Sequence, residues 1–384
     1  MVEWSKLFHT LLDRKIDCMF LRLMLYIYAN QQCNVHWNGS VSEEFSVSNG
    51  VRQGAVSSAL LFAVYIDDII QILKRSKLGC TIDGIYFGVL IYADDILLLS
   101  ASRMGLQSMV TICEKFASDR NLTFGTNPNP SKSKSKCIAF SKKASCRQNL
   151  APIILNGSPL PWVEKVNHLG CTLECDNSMR ADIALKRAKF IGKVNPLLQE
   201  FHFASKNVII KLLNTYTLSF YGSPLWDLLS ADSDRIYRSW NVTVRNVFSV
   251  DRETHRYLIE PLSECLHPKT ILLSRTIGFY QAQLKSPNFC VRYLMRIAEQ
   301  DQRTVIGQTL SYVMRECNLS GSEYSILSPQ LVKDNHSYRP IPESEVWRPS
   351  LIKDLIETRD TLGVNQAELS AEEIAETLRY LCTE

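Results

Sequence analysis

The chain has 384 residues, with 43 Lys and Arg against 39 Asp and Glu, for a net charge of +4. Hydrophobic residues make up 46% and charged ones 21%, which excludes a disordered chain, and the length exceeds what one ordinary core accommodates, so two or three domains are expected. So small a net charge does not by itself announce a polyanionic partner, and twelve scattered cysteines suit reduced thiols in the nucleus or cytoplasm better than a disulfide framework.

Leu7, Leu11 and Leu12, then Phe20, Leu21, Leu23, Met24 and Ile27, recur at helical spacing and predict one or two helices up to Ala29. The start, MVEWSKLFHTLLDRK, is charged and amphipathic, unlike a secretory signal. The apolar run CMFLRLMLYIYA is interrupted by Arg22 and falls well short of the roughly 20 residues of a membrane span, so no membrane partner is expected. CNVHWNGSVSEEFSVSNG alternates around Asn38-Gly39, a hairpin signal. GVRQGAVSS is a glycine-bounded loop. ALLFAVYIDDIIQILKRSK then predicts a helix over 59–75, with Asp67-Asp68 on its side. Strands over 86–92 and 96–99 leave almost no room for a loop around Asp94-Asp95.

A helix is expected over 104–120, then a Pro/Ser/Lys loop, GTNPNPSKSKSK, and a strand at CIAF. IILNGSPLP and NHLGCTLE look like a second small β unit. From Met179 onward the pattern turns helical through RADIALKRAKFIGKVNPLLQEF, NVIIKLLNTYTLSFYG and DRIYRSWNVTVRNVF, and Trp226, Trp240 and the aromatics at Tyr216 and Tyr221 are expected in its core. Past about 320 the chain is polar and proline-bearing, ending in an acidic helix with a capping box at Ser370 and Glu373. The expected division is 1–150, a small β unit over 151–178, a helical domain over 179–320 and a polar C-terminal region, in an α+β fold.

Asp94 and Asp95 raise the chemical question. Adjacent like charges repel, and burying either unpaired costs several kcal/mol, so the pair needs full solvation or a cation. Taken alone, a solvated turn is the ordinary explanation. Hard carboxylate oxygens also suit Mg²⁺, as in sites that hold two ions on the attacking and leaving oxygens of phosphoryl transfer. Upstream, Gly50-Val51-Arg52-Gln53-Gly54 lets backbone approach a ligand, with Arg52 offering phosphate contacts and Gln53 reading a base or sugar edge. Lys132, Lys134, Lys136, Lys142, Lys143 and Arg147 form a basic stretch with no acid over 131–150, either a solvated loop or a phosphate-contacting surface. Arg180, Lys186, Arg187, Lys189 and Lys193 pose the same alternative on one helix. His168, Cys171 and Cys175 lack a fourth zinc ligand at regular spacing and are better explained as part of an apolar interior.

In combination these stretches are specific. Gly50 to Phe62, then Tyr65-Ile66-Asp67-Asp68, then Tyr92-Ala93-Asp94-Asp95, followed by CEKFASDRNLTF, NPSKSKSKCIAF and VNHLGCTLE, resemble the motifs of reverse transcriptases, in particular those of non-LTR (LINE-type) retrotransposons. The resemblance covers about residues 5–250. It implies a partial polymerase palm followed by a mainly helical, thumb-like domain, acting on an RNA template, a DNA primer and deoxynucleoside triphosphates with two Mg²⁺. Asp94 would be the metal-binding aspartate and Asp95 its partner. Arg52, Gln53 and Gly54 would lie against template and incoming nucleotide, Lys134 or Lys136 near the leaving pyrophosphate, and His168, Leu169 and Gly170 at the primer-supporting hairpin. Two departures matter. Ala59 stands where the family has proline, and nothing here matches the strand bearing the family's first catalytic aspartate. The expectation is therefore an N-terminally truncated relative, catalytically incomplete, with a non-catalytic nucleic-acid-binding or scaffold protein as the alternative.

Overall fold

A computed structural model describes residues 2–336 apart from 128, 130, 131, 253–258, 260–262, 264 and 320–323. The expected C-terminal helix with its Ser370–Glu373 box lies outside the described residues. The chain divides into two compact units, Met1–Glu164 and Lys165–Glu384.

In the first unit the sequence periodicities become a helical core. Helix α1 (Trp4–Asp13) buries Leu7, Phe8 and Leu11, and α2 (Cys18–Ala29) is capped by Asp17, whose carboxylate accepts the Phe20 N–H at 2.9 Å. Two nested antiparallel pairs follow: β1 (Gln32–Cys33) with β4 (Phe45–Ser46), and β2 (His36–Trp37) with β3 (Ser40–Val41). Asn38 and Gly39 both sit at positive φ, +47° and +80°, the backbone an Asn-Gly hairpin demands.

The helix expected over 59–75 is two helices, α3 (Ser58–Ile66) and α4 (Asp68–Arg75), broken at Asp67. The Asp67 backbone stays helical, at φ −58° and ψ −34°, and long-range charge meets the junction. Arg14, just past α1, donates to Asp67 at 2.8 Å and Asp68 at 3.0 Å, and Arg120, just past α5 (Arg103–Asp119), donates to Asp68 at 2.7 Å. Arg120 also bonds the Tyr65 carbonyl at 3.0 Å, and the Tyr65 hydroxyl donates back to the Arg120 carbonyl at 2.7 Å. Tyr65, Ile69, Leu73 and Met109 are fully buried around this junction.

The strand expected over 86–92 is also two pieces. β5 (Thr81–Ile82) pairs with β6 (Ile85–Tyr86) around Asp83-Gly84, and β7 (Val89–Tyr92) pairs with β8 (Asp95–Leu98). The Asp83-Gly84 turn, at φ +49° and +79°, carries the hairpin signal that the longer apolar run obscured. CIAF is not a strand: Cys137 alone makes an isolated bridge, to Trp162. β9 (Ile153–Leu155) and β10 (Ser158–Leu160) close the unit, with Ile153, Leu155 and Leu160 buried against Val110 and Cys137.

The second unit opens with a hairpin, β11 (Lys165–His168) and β12 (Cys171–Glu174), and is otherwise helical: α6 (Arg180–Glu200), α7 (Lys206–Thr217), α8 (Ala231–Phe248), α9 (Pro268–Leu284), α10 (Phe289–Gln300), α11 (Val305–Glu316) and α12 (Pro329–His336). Trp226 and Trp240 are fully buried in its core, as expected, whereas Tyr216 and Tyr221 are not core residues: they are 61% and 62% exposed. Asp182 is the buried polar anchor. It accepts from the Thr172 N–H at 3.0 Å and the Trp226 indole at 2.8 Å, joining β12, α6 and the turn before α8. Among the described residues no helix is long and apolar enough to cross a membrane.

Candidate functional site

Pairing of Tyr92 with Asp95 leaves only Ala93 and Asp94 in the β7–β8 turn. Ala93 takes φ +51°, a left-handed conformation that costs a non-glycine residue on the order of 1 kcal/mol. Register decides which side chains share a face. Val89, Ile91, Ile96 and Leu98 face inward and pack on the core of the first unit, while Leu90, Leu97, Tyr92 and Asp95 share the opposite face. Asp94 and Asp95 are both exposed, and neither is hydrogen-bonded or ion-paired to any described residue. Their charges are solvated, which is the simplest way to tolerate the pair.

Those free oxygens suit a hard cation: two adjacent carboxylates on a short hairpin, with no arginine or lysine among the described residues competing for them. A complete cage is another matter. Among the described residues no cluster of three or more His, Cys, Asp or Glu side chains is placed to hold a metal. The donor set fits one edge of a Mg²⁺ site.

The 50–54 loop is tied at both ends. The Trp4 indole donates to the Gly50 carbonyl and the Gly50 N–H to the Val2 carbonyl, each at 2.7 Å, and the Ser58 hydroxyl donates to the Arg52 carbonyl at 2.5 Å. Gly50 and Gly54, at φ +88° and +84°, supply the turns, and a Cβ on Gly54 would meet nothing within 4 Å. Arg52, Gln53 and Gly54 are exposed, while Val51 packs on the core that holds Ile91 and Ile96. Loop and aspartate hairpin therefore stand on one hydrophobic support.

Lys134 and Lys136 are exposed in the coil after α5, where the Ser135 N–H donates to the Gly125 carbonyl at 3.1 Å. With Lys132, Lys142 and Lys143 they have no acidic partner among the described residues, whereas Arg147 turns inward to the Ser141 carbonyl at 2.8 Å. His168, Leu169 and Gly170 belong to the second unit and form the β11–β12 turn, Leu169 and Gly170 at φ +46° and +77°. Lys186 clasps this turn by donating to the Gly170 carbonyl at 2.7 Å. Cys171 and Cys175 are buried, and burial pushes the Cys113 thiol up to about 12 and the Cys137 thiol up to about 11, so the latter two stay protonated. Tyr216 and Tyr221 are the residues the sequence misplaced. Their alternation with apolar neighbours gives no signal that distinguishes a displayed ring from a buried one.

Residues 1–173 match the family described as reverse transcriptase (RNA-dependent DNA polymerase). Over this segment the chain is similar to reverse transcriptases, and the curated relatives it matches belong to retrotransposable elements. A Pol polyprotein from the type-2 retrotransposable element R2DM of Drosophila melanogaster is 30% identical over 121 residues, 29% of this chain and 11% of that protein. A putative 115 kDa protein in the type-1 element R1DM, from the same species, is 25% identical over 235 residues, 59% of this chain and 21% of that protein. A Pol polyprotein from the type-1 element R2 of Nasonia vitripennis is 26% identical over 121 residues, 32% of this chain and 12% of its own length. The chain thus spans about a tenth to a fifth of the curated relatives it matches.

Proposed function

We propose that the Asp94-Asp95 turn is one edge of the Mg²⁺ site of an RNA-templated DNA polymerase, and that these 384 residues bind nucleic acid but do not extend a primer unaided. One observation carries this reading: two adjacent, unneutralised carboxylates at the tip of a hairpin that shares its hydrophobic support with the Arg52–Gly54 loop. When bound, Mg²⁺ supplies charge stabilisation at the attacking and leaving oxygens of nucleotidyl transfer. The chain's own residues do the rest. Asp94 and Asp95 hold the metal edge, Arg52 and Gln53 lie along template and nucleotide on a backbone that Gly54 leaves uncovered, and Lys134 or Lys136 faces the leaving pyrophosphate. His168, Leu169 and Gly170 support the primer. The carboxylate opposing Asp94 has to come from outside the described residues, because a one-edged ion stays mostly water-coordinated and leaves the 3′-hydroxyl unaligned.

Primer extension on an RNA template tests this. The 384-residue chain should give none at any Mg²⁺ concentration. Fusion to a segment bearing the family's Phe-x-Lys-Ala-Phe-Asp strand should produce weak extension that Asp94→Ala abolishes. Robust extension by the unfused chain would overturn the incomplete-cage reading. Binding is tested separately: replacing Lys134 and Lys136 with Ala should lower the log–log salt slope of affinity by roughly 0.7 to 0.9 per lost phosphate contact.

A non-catalytic nucleic-acid-binding or scaffold role for the same chain is favoured by the unpaired lysines over 132–143. Salt-sensitive binding without extension in any fused form would select it.

A further inference from the structure

Lys186, Lys189 and Lys193 recur at i, i+3 and i+7 along α6 and so lie on one face. With Thr217, Ser219 and Tyr221 they line a cavity of about 190 Å³ in the second unit. Their ammonium groups are not equivalent. Lys186 is 11% exposed and committed inward: besides the Gly170 carbonyl it has Asp182 at 3.8 Å and the Tyr221 ring centroid at 5.7 Å. Lys193 donates to the Tyr216 carbonyl at 3.1 Å and is otherwise exposed. Lys189 is exposed with no hydrogen bond or ion pair to any described residue. Two cations at the cavity mouth therefore have donors to spare.

The exposed aromatic ring in the same lining, Tyr221, is displayed by the backbone. Phe220 sits at φ +33° with its side chain 4% exposed, its ring 5.9 Å from Phe190 and 5.9 Å from Trp226 between centroids. Gly222 follows at φ +86°, where a Cβ would fall 2.5 Å from the Cys171 sulfur. Burying Phe220 through this unusual turn forces the intervening Tyr221 outward. Tyr221 has Lys186 and Gly170 beside its ring and is otherwise exposed in the same cavity as the unpartnered Lys189, and strained backbone held by surrounding packing is a recurrent mark of binding sites.

We propose that this cavity and Tyr221 form a binding platform for single-stranded nucleic acid, with backbone phosphates on Lys189 and Lys193 and a base stacked on Tyr221. A base offers its face only when unstacked, so the Tyr221 ring can grip a single strand, whereas a duplex can engage the lysines alone. The inference deepens the nucleic-acid reading above and rests on it.

Fluorescence anisotropy of the full chain tests it, with a labelled thymidine homopolymer of about 12 nucleotides and a blunt duplex of equal length as probes. Tyr221→Ala should weaken single-strand binding roughly tenfold and duplex binding less than twofold, while Tyr221→Phe retains affinity. Replacing both Lys189 and Lys193 with Ala should lower the single-strand salt slope by about 1.4. Circular dichroism reports folding, and were Tyr221→Ala to unfold, Tyr221→Leu, which keeps the bulk but loses the aromatic face, carries the same expectation. Equal losses for both probes, or none, would overturn the proposal. So would inorganic polyphosphate displacing the strand equally well from wild type and from Tyr221→Ala, which would make this a plain anion site. A chain that binds neither probe would sink the nucleic-acid reading as a whole, whereas binding indifferent to Tyr221 would sink only the platform.

Discussion

The first unit contains the same dipeptide twice, in opposite electrostatic settings. Asp67-Asp68 lies at the α3–α4 junction, met by Arg14 and Arg120, with Asp68 also in the first turn of α4 where the helix dipole favours an anion. Asp94-Asp95 lies on a hairpin tip with no cation within reach among the described residues. Repulsion within the first pair is cancelled by the protein, and those carboxylates work as a clamp between helix ends. Repulsion within the second is left to solvent or to an ion. A doublet of aspartates is thus no signature of metal chemistry by itself. What distinguishes a ligand from a clamp is whether the fold supplies the countercharge.

The sharpest way to break this comparison is at Arg120, whose guanidinium lies 4.1 Å from the Phe116 ring centroid while bonding Tyr65 and Asp68. Arg120→Ala should destabilise the chain by about 2–3 kcal/mol in urea titration, through lost packing as much as lost charge. A loss below about 0.5 kcal/mol would show that the clamp is ornamental.

A partly charged clamp in the second unit gives the next largest effect. Burial would push Glu174 up, but the Ala181 N–H at 2.6 Å and Lys165 at 3.1 Å outweigh it and hold the carboxyl below its usual range. Nearby Asp176 is lowered to about 2 by the Ser178 hydroxyl and N–H, then by Arg180. Depressed carboxylates contribute stability that is fully present above their unfolded pKa, near 4, and is lost as pH falls toward 2. Glu174→Gln should therefore cost about 2 kcal/mol at neutral pH and almost nothing near pH 2, read from urea midpoints across pH.

The two doublets themselves complete the series. Converting Asp67 and Asp68 together to Asn should cost up to about 1 kcal/mol, since both are partly exposed, and should leave the response to Mg²⁺ untouched. Converting Asp94 and Asp95 to Asn should leave stability unchanged or raise it by at most about 0.5 kcal/mol as repulsion is relieved. It should also erase any Mg²⁺-dependent rise in melting temperature, because a ligand stabilises only the state that binds it. A large destabilisation from the second change would mean that those carboxylates have structural partners after all.

Much of the local structure was legible because it is locally encoded. Asn38-Gly39 and the apolar stripes of α1 and α5 need no distant residue to specify them, and Asp94-Asp95 could be placed at a strand–turn–strand because two residues suffice for a hairpin loop. The 59–75 region was misread as one helix because its own residues favour one. The junction is met by Arg14 and Arg120, more than fifty positions away in sequence. CIAF has the composition of a strand, but a strand exists only when a partner pairs with it, and Cys137 finds one bridge.

The sequence by itself determined the resemblance to reverse transcriptases, the position of the aspartate hairpin, the glycine-bounded loop and the helical character of the second unit, since each rests on short-range propensity or on a motif read in order. Tertiary structure alone decided which aspartate doublet is neutralised and which is free, and which aromatics face water. Trp226 is sealed in while Tyr221, five residues earlier, is displayed, because the strained Phe220 turn buries one ring and so must expel the next. Charge compensation and burial are properties of what surrounds a residue in space, and those neighbours come from distant parts of the chain.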